Sequence, residues 1–338
     1  MTTFSLPLSS TKIDAHVAAV VTAGLVSRPR RLPPWLFYDE AGSRLFDRIT
    51  ELDEYYLTRT ERGILAEHAE EIVALAAGDD ALNVVELGAG SSDKTRLLLQ
   101  AAVERQDTVL YEPVDVSASA LIAAQQRLER EIAGVVVCPR VMDYTRDLTL
   151  DAAMCGERRL VLYIGSSIGN FEPHEAQELL KSVRAALAPG DSILLGVDLK
   201  KDERILLPAY DDAAGVTAEF NRNILRRVNR ELGANFDAEA FRHRAAWNAA
   251  ASRMEIHLVS LREQTVLLPS PDRDFDLRIR FAAGETIHTE NSYKYRPGQA
   301  EAMLTEAGFT PAQTWTDERG WFAVVLAKCK EQGVGNRE

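Results

Sequence analysis

Val84-Val85-Glu86-Leu87-Gly88-Ala89-Gly90-Ser91-Ser92-Asp93-Lys94-Thr95 is an apolar run that ends in Gly-x-Gly and passes straight into a helix-like segment at 94–105. The stretch reads as a strand, a tight turn and a helix N-terminus. Glycines let a backbone approach a ligand closely, and the first helical N–H groups favour anionic or acceptor atoms. Asp93 stands where a dinucleotide fingerprint needs its third glycine, which argues against NAD or FAD. No Gly-Lys-Ser/Thr ending follows, so the stretch is not a phosphate loop.

Working outward, the pattern is β–α alternation. Strands are expected at 83–87, 108–114, 135–138, 159–164 and 191–197, with helices at about 94–105, 117–132 and 173–187. Pro189-Gly190 is the turn that ends the last of these helices. Alternation of this kind implies a parallel sheet with right-handed crossovers. A helix at 298–308 and a closing strand pair, 313–315 with 321–327, complete it. In such a sheet, strand–Glu-x-Gly-x-Gly–helix points to an S-adenosylmethionine (SAM) site, the alternative being an ordinary glycine-rich β–α turn. Ahead of the sheet lie a helix at 12–27, a Pro- and Arg-rich loop at 28–37, an aromatic and acidic segment at 37–47, and a helix opening at Thr60-Glu61 and running through Ala76. After Asp198 the rhythm changes. Residues 202–233 read as helical, and strand-like runs at 251–262 and 276–283 flank a turn, Pro269-Ser270-Pro271-Asp272.

The expected fold class is therefore α/β: a doubly wound, Rossmann-like SAM-methyltransferase sheet with a second α+β substrate-binding domain. Residues 61–199 plus 294–330 form the first domain. Residues 1–60 plus 200–293 form the second, over the carboxyl edge of the sheet where ligands of open α/β folds bind.

Bulk properties exclude several classes. With 338 residues, 46% hydrophobic and 27% charged, the chain has the profile of a soluble globular protein. A net charge of −12 argues against nucleic acid as a partner. The short basic patch Arg28-Pro29-Arg30-Arg31 reads as a solvated loop. Cys138, Cys155 and Cys329 form no C-x-x-C pair, consistent with reduced thiols and a cytoplasmic location. Met1 to Pro7 lacks the look of a signal peptide, and no apolar run reaches membrane-helix length. The six histidines show no ligand spacing, so no metal is expected. A small-molecule substrate, no membrane partner and a monomer are the expectation.

Three strand ends carry chemistry. Glu112 and Asp115 close the second strand, where an acid accepts hydrogen bonds from a ribose diol, although Asp115 also suits a helix cap. Asp143-Tyr144 follows the third and suits an adenine, offering a carboxylate for the exocyclic amine and a ring to stack. The fourth exits into Gly165-Ser166-Ser167-Ile168-Gly169-Asn170, where a methyl acceptor would meet the sheet, although Asn170 also suits a cap for the helix starting near Glu172-Pro173.

Longer motifs make the resemblance specific. They are Tyr38-Asp39 with Gly42-Ser43 and Leu45-Phe46-Asp47; Glu54-Tyr55-Tyr56-x-Thr58-Arg59; Glu86-Leu87-Gly88-x-Gly90-Ser91-x-x-Lys94-Thr95; Pro113-Val114-Asp115-Val116-Ser117; Gly165-Ser166-x-Ile168-Gly169-Asn170; Ala209-Tyr210-Asp211-Asp212-x-x-Gly215-Val216-Thr217-x-x-Phe220-Asn221; and Thr289-Glu290-x-Ser292-x-Lys294. In this order, over nearly the whole chain, the sequence resembles the histidine-specific SAM methyltransferase family. The resemblance implies methylation of the α-amino group of L-histidine, repeated to the trimethylated betaine (hercynine) of ergothioneine biosynthesis, with S-adenosylhomocysteine as by-product and no metal.

It also implies roles. Tyr38, Gly88, Lys94 and Gly165 would hold the methionine part of SAM. Asp115 would take the ribose, and Asp143 with Tyr144 the adenine. Tyr55, Asn170 and Tyr210 would bind the amino and carboxylate groups of the substrate, with Tyr55 and Asn170 orienting the amine for attack. Glu290 and Ser292 would read the imidazole, with Thr217 nearby. Two residues apart on a strand, a carboxylate and a hydroxyl face the same side and can serve both ring nitrogens. Ile256 stands where the family packs a methionine on the ring, with Met254 two residues earlier. Two other functions remain as alternatives: an Nα-methyltransferase for another amino acid, such as tryptophan or a modified histidine, and a non-catalytic SAM-binding protein.

Overall fold

A computed structural model of the chain describes residues 15–145, 148–150, 157–269 and 276–329. Cys155, residues 12–14 of the first expected helix, residues 1–7, and Ser270, Pro271 and Asp272 of the expected turn lie outside the described residues.

Helix α1 (Ala15–Val26), strand β1 (Arg30–Arg31), α2 (Glu40–Thr50) and α3 (Tyr56–Ala77) come first. The alternating region follows as β2 (Ala81–Leu87), α4 (Thr95–Gln106), β3 (Val109–Asp115), α5 (Ala118–Glu131), β4 (Val135–Val137), β5 (Arg140–Val141), β6 (Glu157–Tyr163), α6 (Pro173–Ala185) and β7 (Ser192–Asp198). The rest comprises α7 (Glu203–Tyr210), α8 (Val216–Leu232), β8 (Phe241–Asn248), β9 (Arg253–Ser260), β10 (Gln264–Leu268), β11 (Leu277–Phe281), β12 (Thr286–Tyr293), α9 (Gln299–Glu306), β13 (Phe309–Thr316) and β14 (Phe322–Cys329).

One eight-stranded sheet runs β13-β14-β7-β6-β2-β3-β4, with β5 pairing β3. From β2 the chain winds outward through β3 and β4, then returns to β6 and β7 on the other side. All of those pairings are parallel, whereas β14 lies antiparallel between β7 and β13. The order reverses between β2 and β6, and that is where an open α/β sheet leaves a crevice at its carboxyl ends. Alternation along β2 and β6 builds a core on each face. Leu82, Val84, Leu160 and Leu162 pack beneath α3 and α4, while Val85, Leu87, Val161 and Tyr163 pack beneath α6.

A further core joins Val17–Leu57 residues to residues between Leu206 and Ile287, far apart in sequence. Its sheet runs β1-β12-β9-β8, and β10 pairs β11 as a separate ribbon. The fold departs from the sequence expectations at several points. Helix α3 begins at Tyr56, four residues before Thr60. The helical run 202–233 breaks after Tyr210, because the Asp212 carboxylate accepts the N–H groups of Val216 (2.9 Å) and Thr217 (2.7 Å) while Gly215 adopts φ +73°. Residues 241–248, 264–268 and 286–293 are additional strands; along β8 the buried Phe241 and His243 alternate with exposed Arg242 and Arg244. The basic patch is no solvated loop: Arg30 is buried, pairs with Glu285 at 2.7 Å, and its strand joins β12. Residues 34–37 form a 3-10 turn rather than open loop.

Asp39 ties α2 to α8. One carboxylate oxygen accepts from the Gly42 N–H (2.6 Å) and the Asn223 amide (2.8 Å), and the other pairs with Arg230. Gly42 must be glycine, since a Cβ there would sit 1.7 Å from the Phe37 carbonyl oxygen. Burial alone would raise the Asp39 pKa; hydrogen bonds from Gly42, Arg230 and Asn223 overcome that and hold it below 3.8. Asp39→Ala is expected to destabilise the fold by about 1–3 kcal/mol in urea unfolding at neutral pH, through the lost cap and two stranded donors. A carboxyl whose folded pKa is depressed contributes above its unfolded value and loses that contribution as pH falls through the folded one. The difference between wild type and variant should therefore be intact at pH 5 and shrink in acid below 3.8.

Candidate active site

Strand β2 ends in a turn whose glycines carry positive φ, +71° at Gly88 and +50° at Gly90. The N–H groups of Gly88 and Ala89 donate to the Val114 carbonyl (2.8 and 3.2 Å), folding the turn against the end of β3. Asp115 accepts from the Gly90 N–H at 3.0 Å and from the Ser117 N–H at 2.8 Å. Ser117, not Asp115, caps α5, so Asp115 stays beside the glycine turn. Glu112, the other acid at this strand end, pairs instead with Arg140 at 3.3 Å. Tyr144 lies over the turn: a Cβ on Gly88 would come within 3.2 Å of its hydroxyl. Burial pushes that hydroxyl up to about 12, so it stays a neutral donor. Asp143 is held by the Thr145 N–H (3.1 Å) and hydroxyl (2.6 Å).

Two acids missed from the sequence organise this side. Glu61, fully buried on α3, pairs with the Lys94 ammonium and takes the Gly165 N–H on both oxygens (2.8 and 2.9 Å). Gly196 on β7 makes room for it, since a Cβ there would meet Glu61 Oε1 at 2.1 Å. Its signal was present: Glu61, Ile64 and Leu65 share one stripe of α3 and all are buried, so a charge interrupts an apolar face. Glu86 lies in the opening motif. Burial pushes its carboxyl up to about 7, and the Tyr111 hydroxyl sits between it and Ser92 Oγ (2.8 Å), bracing the glycine turn.

Across the crevice, Asn170 closes the 3-10 turn Ser167–Asn170, and Glu172 rather than Asn170 caps α6. Oriented to suit its neighbours, the Asn170 amide NH2 donates to the Asn291 carbonyl (3.0 Å) and Glu290 Oε1 (3.3 Å), which leaves its oxygen as an acceptor. Glu172 accepts from Asn291 (3.0 Å), Tyr293 (2.6 Å) and Arg253 (2.8 Å), fastening this loop to β12 and β9. Strand β12 bulges between His288 and Glu290, which re-aims the side chains beyond the bulge. Glu290 then stands opposite Ile256, and Ser292 opposite Met254, so both aliphatic side chains share the face of the acid and the hydroxyl. The Glu290 carboxyl is ringed by protein but keeps some open space beside it. Burial pushes it up to about 7, against the pull of Lys294.

Tyr210 and Ser292 hydroxyls lie 2.8 Å apart. The Tyr55 ring meets Tyr210 edge-on at 6.4 Å and Phe46 at 6.2 Å. Tyr38 packs edge-on against Phe46 (5.8 Å) and Phe220 (5.9 Å), close enough to Glu290, Tyr55, Tyr144 and Asp115 to feel their charges. Burial raises the pKa of Tyr38, Tyr55 and Tyr210 well above 10, so all three are neutral hydroxyls at physiological pH. Thr217 is buried one helical turn before Phe220, with its N–H on Asp212. Contacts join the residues expected from the sequence in two groups: Gly88 with Tyr144 and Asp115 at the glycine turn, beside Lys94 and Gly165 on Glu61, and Asn170 with Glu290, Ser292 with Tyr210, and Tyr210 with Tyr55, while Asp143 is held by Thr145. Thr217 lies on α8, the helix whose Phe220 packs on Tyr38. Among the described residues no three His, Cys, Asp or Glu side chains are grouped to hold a metal, and no helix is long and apolar enough to cross a membrane.

Comparison with known proteins gives a concordant result. The profile of a family described as histidine-specific methyltransferase, SAM-dependent, matches residues 17–329. The chain is 46% identical over 307 residues to the histidine N-alpha-methyltransferase of Mycolicibacterium smegmatis, spanning 91% of this chain and 93% of that one. It is 44% identical over 307 residues to the protein of the same name from Mycobacterium tuberculosis, with the same coverage. It is 31% identical over 324 residues to ergothioneine biosynthesis protein 1 of Neurospora crassa, covering 89% of this chain but 34% of that longer one.

Glu61→Gln keeps the shape of the side chain and removes the charge opposite Lys94. Titration calorimetry with SAM is expected to show binding weakened about tenfold, or ~1.4 kcal/mol, together with a lower melting temperature. Unchanged affinity would mean that the Glu61–Lys94 pair serves folding alone.

Proposed function

The chain belongs to the histidine-specific, SAM-dependent methyltransferase family, and from that premise we propose that it methylates the α-amino nitrogen of L-histidine. We extend the proposal to three successive transfers and to a product that enters ergothioneine biosynthesis. The observation that carries it is the pairing of Asn170 with Glu290: an amide that can hold an amine lies 3.3 Å from a buried acid suited to an imidazole. We further assign residues 1–60 plus 200–293 as the substrate-binding domain and residues 61–199 plus 294–330 as the SAM domain.

The glycine turn fits an adenosyl group, because the space beside Gly88 under Tyr144 is one a Cβ would narrow. In this reading Asp115 takes the ribose and Asp143 with Tyr144 the adenine. Lys94, Gly165, Gly88 and Tyr38 hold the methionine part. SAM supplies an electrophilic methyl on a sulfonium. The chain's own work is chiefly positioning, holding nitrogen and methyl carbon near a line with the sulfur. In the first two transfers Asn170 Oδ1 accepts an N–H of the neutral amine and with Tyr55 aims the lone pair; each ammonium so formed loses a proton to solvent before the next transfer, and the dimethylated nitrogen, with no N–H left, is held by its carboxylate and imidazole contacts. Tyr210 donates to the carboxylate. Glu290 and Ser292 serve the ring nitrogens, with Ile256, Met254 and Thr217 shaping the pocket. A neutral side chain such as that of tryptophan would leave Glu290 without its ionic partner, which disfavours that alternative.

The test is mass-resolved turnover with SAM and single amino acids. Histidine should gain up to three methyl groups on its α-nitrogen. Product from another amino acid alone would refute the roles given to Glu290 and Ser292. Binding of SAM with no product from any amino acid would favour a non-catalytic protein. Asn170→Ala should lower kcat/KM for histidine about 100-fold and Tyr55→Phe about tenfold, in line with lost positioning; near-normal turnover in both would remove them from the amine site. Glu290 also predicts a pH dependence. Free Glu290 is protonated below about 7, and a free imidazole gains its own proton near ~6.5. Below both values the free partners carry two protons where the bound pair shares one, so binding must release a proton and the ionic pairing is lost. Histidine affinity, measured with S-adenosylhomocysteine bound, should therefore weaken as pH falls from 7 to 5, and Glu290→Gln should flatten that slope.

A further inference from the structure

Behind the Tyr210 and Ser292 hydroxyls lies a buried charge cluster. Asp198 ends β7 and Lys294 comes directly after β12, and both side chains are wholly buried. The Lys294 ammonium has three hydrogens, and three acceptors take them: Asp198 Oδ2 at 2.7 Å, the Tyr210 hydroxyl at 2.7 Å and Ser292 Oγ at 2.8 Å. The other Asp198 oxygen pairs with Lys201, which also donates to the Tyr56 hydroxyl (2.8 Å) and the Leu199 carbonyl (2.5 Å). Tyr56 in turn donates to Asp198 Oδ2 at 2.7 Å.

Hydrogen counting gives this arrangement a direction. Lys294 can only donate, so the oxygens of Tyr210 and Ser292 must accept from it. Each hydroxyl carries one hydrogen, and they stand 2.8 Å apart. One hydrogen closes that gap, and the other remains to point away from the lysine toward the crevice. Charge counting agrees. Two ammonium groups, Lys294 and Lys201, share the Asp198 carboxylate, and Asp317 also attracts Lys201. Burial pushes Lys201 down to about 8, against the pull of Asp198, so it stays largely protonated at neutral pH. The acid across the crevice, Glu290, also faces Lys294, but a substrate imidazole takes its charge. The Lys294 charge, whose carboxylate partner is shared with Lys201, stands behind a wall of hydroxyls where little solvent screens it.

We propose that Lys294 is the positioning residue that makes an α-carboxylate obligatory in the substrate, acting through Tyr210 and Ser292 without touching the substrate itself. This rests on the amino-acid reading given above. A carboxylate accepts the directed hydrogen and balances the buried charge. An amine lacking that group leaves both unmet, and a site built around a polar partner rejects analogues that lack it.

The experiment compares L-histidine, histidinamide and histamine as methyl acceptors for the wild type, Lys294→Met and Lys294→Arg, with SAM affinity measured alongside. For wild type, kcat/KM should be at least ~100-fold lower for histamine than for histidine. Lys294→Met should lower the histidine value ~100-fold while leaving histamine within about threefold, so that discrimination collapses at unchanged SAM affinity. Lys294→Arg should restore part of the discrimination. A wild-type enzyme that uses histamine as well as histidine would overturn the proposal whatever the variants do. So would a Lys294→Met enzyme that loses both substrates in equal proportion, which is the mark of a purely structural lysine. A wild type that methylates no amino acid would overturn the functional reading and this inference together, whereas normal methylation of histidine without discrimination overturns this inference alone.

Discussion

A carboxylate with no access to solvent must find its partners inside the protein, and Glu61 finds them on two separate elements. It holds the Lys94 ammonium at the start of α4 and the Gly165 N–H at the end of β6. These are the groups on either side of the point where the strand order reverses. Helix α3 is thereby fixed across the crevice mouth, and the mouth is fixed in width. Breaking a buried pair costs several kcal/mol, because the remaining charge is stranded. Much else depends on that constraint: Gly196 must lack a side chain, the Gly165 turn must take positive φ, and Tyr55, just ahead of α3, is delivered to the crevice rim.

A second set of buried charges closes the far side. The Asp198–Lys294 pair joins the end of β7 to the end of β12, and backbone bonds from Tyr295 to Asp198 (2.9 Å) and from Lys200 to Tyr295 (2.8 Å) continue the seam. The Asp198 N–H also donates to Ser166 Oγ at 2.9 Å, tying in the loop that carries Asn170. The crevice thus lies between two ionic seams, one per wall. The Asp198–Lys294 pair is wholly buried, and in the Glu61–Lys94 pair the carboxylate is. Reactants that must meet along a line benefit from walls of this kind, since little reorganisation remains to be done when they arrive.

Most of the central sheet was legible in the sequence, because its strands are buried on both faces and read as continuous apolar runs bounded by glycine turns. The second sheet was harder. Its strands alternate buried with less buried residues, but arginine and histidine in β8, and threonine, glutamate, asparagine and serine in β12, occupy many positions, so both lack the apolar contrast that marks a strand. Arg30 looked solvated for the same reason: a charge run says nothing of a partner 255 residues away. The break between α7 and α8 was written in Asp212 and Gly215, a cap and a left-handed glycine that the helical periodicity on either side masked. The crevice residues were legible through motif resemblance rather than pattern. Glu61 and Asp198 escaped because their importance comes from what they neutralise, and that pairing exists only once the chain has folded.

Glu172 carries a consequence for how such an enzyme diversifies. Its carboxylate caps α6, and it also takes hydrogen bonds from Asn291, Tyr293 and Arg253. The loop that carries Asn170 and the strand that carries Glu290 are therefore fastened to one another by side-chain hydrogen bonds. In the reading proposed above, substitutions at Ile256 or Met254, opposite Glu290 and Ser292, would alter what the far end of the pocket accepts while these bonds stay in place. A lineage can change its diet while its cutlery stays in place: selection has a free hand over the recognised side chain, and a constant grip on the backbone of every amino acid that enters.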